Sequence, residues 1–147
     1  MHELRITTDK HLLDLPLIHR FLSGHTYWAR GIPYPLLQRA ISNSLCFGGF
    51  LGDAQVAFAR VISDYATFAN LVDVFVLPEH RGKGHSTTLM DAVCAHPDLQ
   101  GLRRFTLATG DAHGLYARYG FTAPAHPHTL MERYVPDLYA RADAPVA

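Results

Sequence analysis

The chain lacks several features that would place it in a specialised class of protein. Its 147 residues include only two cysteines, Cys46 and Cys94, which are too few for a disulfide framework. No apolar run approaches the ~18 residues that span a membrane. The N-terminal segment also lacks the cationic and apolar regions of a signal peptide. We therefore expect a cytoplasmic protein that has no membrane partner.

An excess of charge of one sign is also missing. Thirteen Lys and Arg balance thirteen Asp and Glu, so the formal net charge is +0. A general nucleic-acid binder is usually basic, and we therefore expect no nucleic-acid partner. The ten histidines are scattered, without an HxxxH pair that has a third ligand, and no CxxC occurs. The sequence therefore predicts no metal site.

Length and composition favour one domain with a packed core. With 48% hydrophobic residues, the chain is predicted to form a single domain over residues 1–140 and a disordered tail over residues 141–147. The hydrophobic patterns give the order β-α-α-β-β-β-α-β-α-β. This order predicts an α/β (α+β) fold, in which a mixed, mostly antiparallel sheet of six to seven strands carries about four helices on both faces.

The same patterns predict where the elements lie. The first part of the chain is predicted to hold a strand near residues 2–8, a helix capped by Asp14 and a helix opened by Pro35. Strands over 45–51 and 54–62 follow, joined by a Gly52-Asp53 turn, and then a central strand over 71–77 and a helix from Ser86. The last elements are a strand over 103–108, a helix over 111–119 ended by Gly120, and a strand over 129–135.

The stretch from Leu71 to Ala95 carries the strongest functional signal. A buried strand ends at Pro78, a short loop with two glycines and two cations follows, and a helix begins near Ser86. Glycines let a backbone turn tightly, and the N–H groups and dipole of a helix N-terminus attract anions. Neither GxxxxGK[ST] nor GxGxxG is present. The stretch therefore predicts a phosphate or pyrophosphate site that is neither a P-loop nor a dinucleotide fold.

The run VFVLPEHRGKGHS resembles motif A of the GCN5-related N-acetyltransferases, the GNAT family. The family pattern R/Q-x-x-G-x-G/A falls on Arg81, Gly84 and Ser86, with serine in place of the last glycine. We expect this small residue to cap the helix. The resemblance spans roughly residues 3–135. It implies that the loop amides bind the pyrophosphate of acetyl-coenzyme A, through Arg81, Gly82, Lys83, Gly84, His85 and Ser86.

A second segment, DAHGLYARYGF over residues 111–121, resembles the family pattern A-x-x-L-Y-x-x-x-G-F. The resemblance implies that Tyr116 lies near the coenzyme sulfur as general acid, which a phenol with pKa ~10 can be at neutral pH. The alternative is that Tyr116 is only a packed aromatic residue. Thr109 stands where the family commonly has an asparagine, and it is predicted to contact the coenzyme.

The reaction implied by the resemblance is acyl transfer from a thioester to an amine. A backbone N–H near Phe75 or Val76 is expected to polarise the thioester carbonyl. In the family, the central strand splays from the next one, and the pantetheine arm pairs with it like an added strand.

The general base is open between three candidates. Asp73 lies inside an apolar strand, where burial would raise its pKa, but it could instead be a structural carboxylate bonded to Arg60 or to a neighbouring hydroxyl. His113 lies one turn before the tyrosine on the same helix. A water chain is an equal rival, and Glu79 is read as a solvated loop residue.

The loop between the first two helices is predicted to wall the acceptor site. Its residues Tyr27, Trp28 and Ile32 could line a pocket for an apolar or aromatic amine, pack as a lid, or form a dimer contact. We therefore expect an acetyl-CoA-dependent N-acetyltransferase that acts on a primary amine of a small molecule or peptide, with a homodimer possible.

Three alternatives remain at this point. A non-catalytic acyl-CoA sensing module would bind the coenzyme without turnover. A toxin-type aminoacyl-tRNA acetyltransferase would favour a basic face, against which the net charge argues. A nucleotide-binding domain of another family is disfavoured because its motifs are missing.

Overall fold

The computed structural model of the protein describes residues 3–142. It contains five strands and five α-helices in this part of the chain. The strands are β1 (Arg5–Thr7), β2 (Leu45–Leu51), β3 (Ala54–Ser63), β4 (Phe68–Val76) and β5 (Arg104–Leu107). The helices are α1 (Leu15–His25), α2 (Tyr34–Ser42), α3 (His85–Ala95), α4 (His113–Ala117) and α5 (Leu138–Ala142).

The five strands form one sheet in the order β1-β2-β3-β4-β5. The pairs from β1 to β4 are antiparallel, and β5 runs parallel to β4. The mixed, mostly antiparallel α+β fold is therefore confirmed. The predicted count of six to seven strands is too high for the described residues, which contain five.

The predicted last strand over residues 129–135 is wrong as a strand of this sheet. Residues Pro127–Thr129 form a 3-10 turn, and residues 130–135 pair with no strand in the described part of the chain. Residues 122–138 are all exposed. A strand needs a neighbouring strand to satisfy its backbone groups, and no strand pairs with this segment in the described structure.

Helices cover both faces of the sheet, as expected. α3 and α4 pack on one face in a first core cluster, whose members include Phe47, Val61, Leu71, Val76, Leu89, Met90, Val93 and Tyr116. α1 and α2 pack on the other face in a second core cluster, whose members include Ile18, Phe21, Leu22, Ile32, Leu37, Ile41, Phe58 and Phe75.

Three local predictions can be compared with the helix ends. Asp14 caps α1 as predicted, since its side chain accepts a hydrogen bond from the Leu17 amide at 3.1 Å. Ser86 does not cap α3. The cap is Gly84 in the left-handed region at φ 80°, and the helix begins at His85. α5 continues through Ala142, two residues into the predicted tail, and residues 143–147 lie outside the described residues.

The alternation of side chains between the two faces of the sheet is interrupted halfway along strand β4. Leu71 belongs to the first core cluster and Phe75 to the second, although residues four apart in a regular strand share a face. The cause is a β-bulge, in which the register with β3 shifts between Phe58 and Arg60. Asp73, which lies in the bulge, has φ 57°. One strand thus contributes side chains to both cores.

Candidate active site

A gap opens between β4 and β5. Their parallel pairing runs from Phe68↔Arg104 to Leu71↔Leu107 and then stops. β4 continues for five further residues, 72–76, which pair only with β3 in the described structure. Beyond Leu71, β4 therefore has no strand partner on the side of β5, which leaves room for the splay that the sequence resemblance implies.

The register decides which amides face this gap. The amide of Leu77 donates to the carbonyl of Val56 at 2.8 Å, so successive residues alternate between pointing at β3 and pointing away from it. By this alternation the amide of Phe75 points at β3, and that of Val76 points into the gap. Arg81 Nε donates to the Val76 carbonyl at 2.9 Å from the side away from β3. Of the two predicted donors, Val76 has its amide directed away from β3, whereas the amide of Phe75 is directed toward β3.

The loop after β4 forms a cradle of amides, which we define as the backbone N–H groups of residues 82–87. None of them has a hydrogen-bond acceptor in the part of the chain that the structure describes. Gly82 and Gly84 have φ 76° and 80°, values that favour glycine. The first turn of the 11-residue helix α3 carries no acidic side chain. Unpaired amides at a helix N-terminus attract an anion.

The side chains around the cradle show two further features. Arg81 reaches back to β4, so it fixes the loop against the strand that flanks the gap. Within the described residues, His80 Nδ1 and His85 Nε2 are buried nitrogens without a hydrogen-bond partner. Ring nitrogens of this kind can donate to an anion. A Cβ built on Gly82 or Gly84 would meet no atom within 4 Å, so the space above both glycines is open. A pyrophosphate fits this donor set.

Tyr116 lies on α4, on the same face of the sheet as α3. It is only 8% exposed and is part of the first core cluster together with Val76. Burial, with Asp111 nearby, raises the pKa of this phenol above its usual value. The hydroxyl is therefore protonated at neutral pH, which a general acid requires.

The hydroxyl of Thr109 has a local structural role. It accepts hydrogen bonds from the amides of Ala112 at 3.0 Å and Asp111 at 3.4 Å, immediately before α4 begins at His113. These bonds explain how threonine holds this turn. They leave the hydroxyl hydrogen free to donate to a ligand.

Asp73 is buried with both carboxylate oxygens occupied. Trp28 Nε1 donates to Oδ1 at 2.8 Å, and Arg60 Nε donates to Oδ2 at 2.8 Å. Arg60 in turn donates to the hydroxyl of Ser44 at 3.0 Å. Of the two roles that the sequence left open for Asp73, this geometry favours the structural carboxylate bonded to Arg60. No local sequence pattern indicated that Trp28 would bond to Asp73 or that Ser44 would bond to Arg60, because both residues lie far from Asp73 along the chain.

The three predicted acceptor residues take different places. Tyr27 is 77% exposed and packs edge-on against Trp28, with ring centroids 5.1 Å apart. A Cβ on Gly110 would lie 3.8 Å from Tyr27 Oη, so the α1–α2 loop reaches the loop that follows β5. Ile32 is buried in the second core cluster, and it fits the packing alternative. The aromatic pair thus borders the gap on the α1 side.

The remaining candidates are exposed. Glu79 lies in a 3-10 turn at the surface, as expected of a solvated loop residue. His113 is exposed at the first turn of α4. A residue that sequence reasoning missed is Asp91, which accepts a hydrogen bond from Tyr119 Oη at 2.7 Å and so joins α3 to the turn that follows α4.

Two global features complete the description. None of the helices in residues 3–142 combines the length and apolar character that crossing a bilayer requires. Nor do three or more His, Cys, Asp or Glu side chains gather in a metal-binding arrangement within that range.

Comparisons with known proteins agree with this geometry. The sequence model of the acetyltransferase (GNAT) domain matches residues 42–123. A curated protein of Gibberella zeae, named as a proposed acetyltransferase, is 31% identical over 135 residues, which cover 77% of this chain and 75% of that protein.

Solved structures extend the likeness over nearly the whole chain. A crystal structure from Xanthomonas campestris pv. campestris, described as a proposed acetyltransferase of the GNAT family, is 71% identical and has a TM-score of 0.93. The match covers 95% of this chain and 99% of that one. A probable acetyltransferase from Staphylococcus aureus has a TM-score of 0.69 at 19% identity, covering 90% and 98% of the two chains, which shows the fold alone.

The fold and the site define a protein of the acyltransferase class. In particular, the chain belongs to the GNAT acetyltransferase family, since the family domain matches more than half of it and the curated relative exceeds 30% identity.

Proposed function

We propose that this protein transfers the acetyl group of acetyl-CoA to a primary amine of a small molecule or peptide, by direct attack of the amine. The observation that carries the proposal is the position of the cradle. Six consecutive unpaired amides lie directly after the strand whose edge is open toward β5. One continuous surface therefore offers donors for a pyrophosphate and a strand edge for an extended pantetheine arm.

The transfer itself needs three actions. The amine nitrogen forms a bond to the thioester carbon, the C–S bond breaks, and the sulfur leaves with the bonding pair. The Val76 amide, which faces the gap, is the candidate donor to the developing oxyanion. Tyr116, kept protonated by burial, is the candidate proton donor to the leaving thiolate.

Removal of the amine proton falls to a water chain in this proposal. Asp73 is bonded through both oxygens, so its acceptor capacity is largely taken by Trp28 and Arg60. His113 is exposed on α4. In this proposal a relay of water molecules carries the amine proton to solvent.

The acceptor is proposed to enter beside Tyr27 and Trp28. Both rings are partly exposed and border the gap from the side of α1. Aromatic faces favour an apolar or aromatic amine, or its cationic form through cation–π attraction. The cytoplasm remains the proposed location, where the free thiols of Cys46 and Cys94 would stay reduced.

The test combines binding and turnover. Calorimetric titration with acetyl-CoA and CoA is followed by a thiol-release assay over a panel of amines. Tyr116→Phe is compared with Tyr65→Phe, a tyrosine that is exposed at the β3–β4 turn. We expect binding of both coenzymes, amine-dependent thiol release, and a loss of about 10²-fold or more in turnover for Tyr116→Phe only.

The other outcomes separate the alternatives. Binding without thiol release from any amine would favour the acyl-CoA sensing module. Equal turnover in Tyr116→Phe and Tyr65→Phe would remove the acid role from Tyr116. Absence of coenzyme binding would contradict the proposal as a whole.

A further inference from the structure

One side chain of the α1–α2 loop reaches the strand that borders the gap. Trp28 Nε1 donates to Oδ1 of Asp73 at 2.8 Å, across 45 residues of sequence. Asp73 lies in the bulge, just beyond Leu71, which is the last residue of β4 that pairs with β5. The loop proposed to wall the acceptor and the strand edge proposed to bind the coenzyme are therefore joined by a single indole hydrogen bond.

The loop around Trp28 is held firmly against α1. The buried hydroxyl of Thr26 donates to the carbonyl of Leu22 at 2.6 Å and accepts a hydrogen bond from the amide of Ala29 at 3.2 Å. On the other side of the tryptophan, the amide of Gly31 donates to the carbonyl of Ser23 at 3.0 Å. These bonds limit the movement of the backbone on both sides of the indole, so the bond to Asp73 has a fixed origin.

The second oxygen of Asp73 extends the same network to α2. Arg60 Nε donates to Oδ2 at 2.8 Å, and Arg60 Nη1 donates to the Ser44 hydroxyl at 3.0 Å. That hydroxyl donates in turn to the carbonyl of Ala40 at 2.6 Å. The Arg60 and Asp73 side chains are only 14% and 5% exposed. Hydrogen bonds in such a buried network reinforce one another, so the carboxylate has one defined position.

The conformation of the bulge depends on this carboxylate. Asp73 has φ 57°, a value that a non-glycine residue adopts at a cost and keeps only where its surroundings hold it. The bulge sets the register of the residues that follow it, and Val76 then directs its amide away from β3. Arg81, at the start of the cradle loop, donates to the Val76 carbonyl at 2.9 Å. A change at the indole can therefore reach the open edge of β4 and the loop beyond it.

We propose that Trp28 is a positioning residue for coenzyme binding, because its hydrogen bond to Asp73 couples the acceptor loop to the open edge of β4. This inference rests on the proposed function, in which the pantetheine arm lies along that edge. A coupling between two sites is reciprocal. Coenzyme on the edge therefore holds the loop in place, and an acceptor beside Trp28 strengthens the binding of the coenzyme.

Two substitutions separate the hydrogen bond from the packing of the ring. Trp28→His loses the fused benzene ring but keeps a ring N–H at the place of the indole nitrogen. Trp28→Phe keeps a benzene ring and has no donor. Ile18→Val, in the second core cluster, is the control for stability, since it removes a buried methyl group without touching the network.

The first measurement is the calorimetric affinity for CoA, which needs no acceptor. We expect Trp28→Phe to bind CoA about fivefold more weakly or worse, and Trp28→His and Ile18→Val to stay within about twofold of the wild type. A modest loss of stability leaves almost all of the protein folded. A weaker affinity in Trp28→Phe alone therefore reports the geometry of the native site.

The second measurement observes the indole directly. The chain has one tryptophan, so a proton–nitrogen correlation spectrum of the wild type shows one indole signal. We expect CoA to shift this signal and to slow the exchange of the indole hydrogen. Adenosine 3′,5′-bisphosphate, which is the nucleotide end of CoA without the pantetheine arm, should change neither, because it does not reach the strand edge.

The remaining outcomes count against the coupling. A wild type that binds no CoA would contradict the proposed function and this inference with it. If the wild type binds CoA and Trp28→Phe binds it equally well, the coupling alone is overturned. Equal weakening in Trp28→Phe and either Trp28→His or Ile18→Val would also overturn it, as would an indole signal that CoA leaves unchanged or that the bisphosphate shifts equally.

Discussion

The two halves of β4 differ in what they are bonded to. Residues 69–71 pair with β3 on one side and β5 on the other, whereas Val72, Phe75 and Val76 pair with β3 alone. The first half is an ordinary interior strand. The second half leaves backbone groups free, and it is followed directly by the cradle. The difference shows how one strand can serve both as core and as binding edge.

The bulge at Asp73 separates the two halves, and side chains from two other elements hold it. Trp28 from the α1–α2 loop and Arg60 from β3 both donate to its carboxylate. A non-glycine residue at φ 57° is uncommon, and aspartate tolerates this region better than most residues. The open half of β4 therefore depends on contacts outside the strand.

Among the variants that test this difference between the halves of β4, a change at Arg60 should have the largest effect on stability. Arg60→Met leaves the buried Asp73 carboxylate without its ion-pair partner. We expect a loss of about 3 kcal/mol in the free energy of unfolding, measured by urea denaturation. Arg39→Met, an exposed residue of α2, is the control and should change the same quantity by less than about 0.5 kcal/mol. Equal losses in both variants would show that Arg60 does not hold the bulge.

The glycine that ends the loop offers a second test. Gly84→Ala and Gly52→Ala each place a methyl group on a residue with positive φ, and in neither case does another atom lie within 4 Å. Because the strain comes from the backbone conformation alone, each variant should lose about 1–2 kcal/mol in the free energy of unfolding. Only Gly84 belongs to the cradle. We expect roughly tenfold weaker acetyl-CoA binding for Gly84→Ala by calorimetry, about 1.4 kcal/mol, and wild-type affinity for Gly52→Ala. Unchanged affinity in both would argue against the cradle as the coenzyme site.

Trp28 tests the contact between the acceptor loop and the bulge. Trp28→Phe keeps an aromatic ring but removes the donor to Asp73 Oδ1. The expected loss is about 1 kcal/mol in the free energy of unfolding. Tyr27→Phe, which alters a neighbouring exposed ring, should lose less than about 0.5 kcal/mol. If the two variants are equally stable, the indole hydrogen bond does not support the bulge.

The smallest effect is expected where the turn after α4 is joined to α3 by Tyr119. Burial and the hydrogen bond to Asp91 raise the pKa of Tyr119 to about 12. Because this folded-state pKa is raised, its stabilising contribution is full below the unfolded pKa of ~10 and is lost as the pH rises toward that of the folded state. Tyr119→Phe should lose about 0.5–1 kcal/mol at pH 7 and show a shallower decline in the denaturation midpoint above pH 10. The comparison is Tyr65→Phe, which should decline like the wild type.

Local signals explain most of what the sequence predicted correctly. The hairpin of β2 and β3 was predicted because Gly52-Asp53 separates two apolar runs. α1 was predicted because Asp14 precedes an apolar face, and its capping bond is present. The loop before α3 was recognised because its glycines, cations and following helix are adjacent in the chain. Each of these signals lies within a few residues of its consequence.

The features that sequence reasoning missed depend on distant residues. The bulge at Asp73 depends on Trp28, 45 residues away, and no local pattern announces it. Residues 129–135 have strand composition, but a strand also needs a neighbouring strand, and in the described structure no strand pairs with this segment. The choice between the Val76 and Phe75 amides as the proposed donor follows from the register with β3, which composition cannot give.

The bulge also has a consequence for how this chain can vary. Upstream of Asp73, odd-numbered residues such as Ala69 and Leu71 face α3, whereas downstream Val76 does so and Phe75 faces α1. Loss of the single codon for Asp73 would place Leu71 and Val76 four residues apart, so a regular strand would keep both on their present face. The shortened strand would lose the bulge together with the carboxylate that Trp28 and Arg60 bind. A one-residue deletion here would therefore preserve which side chains face each core and remove the irregularity alone.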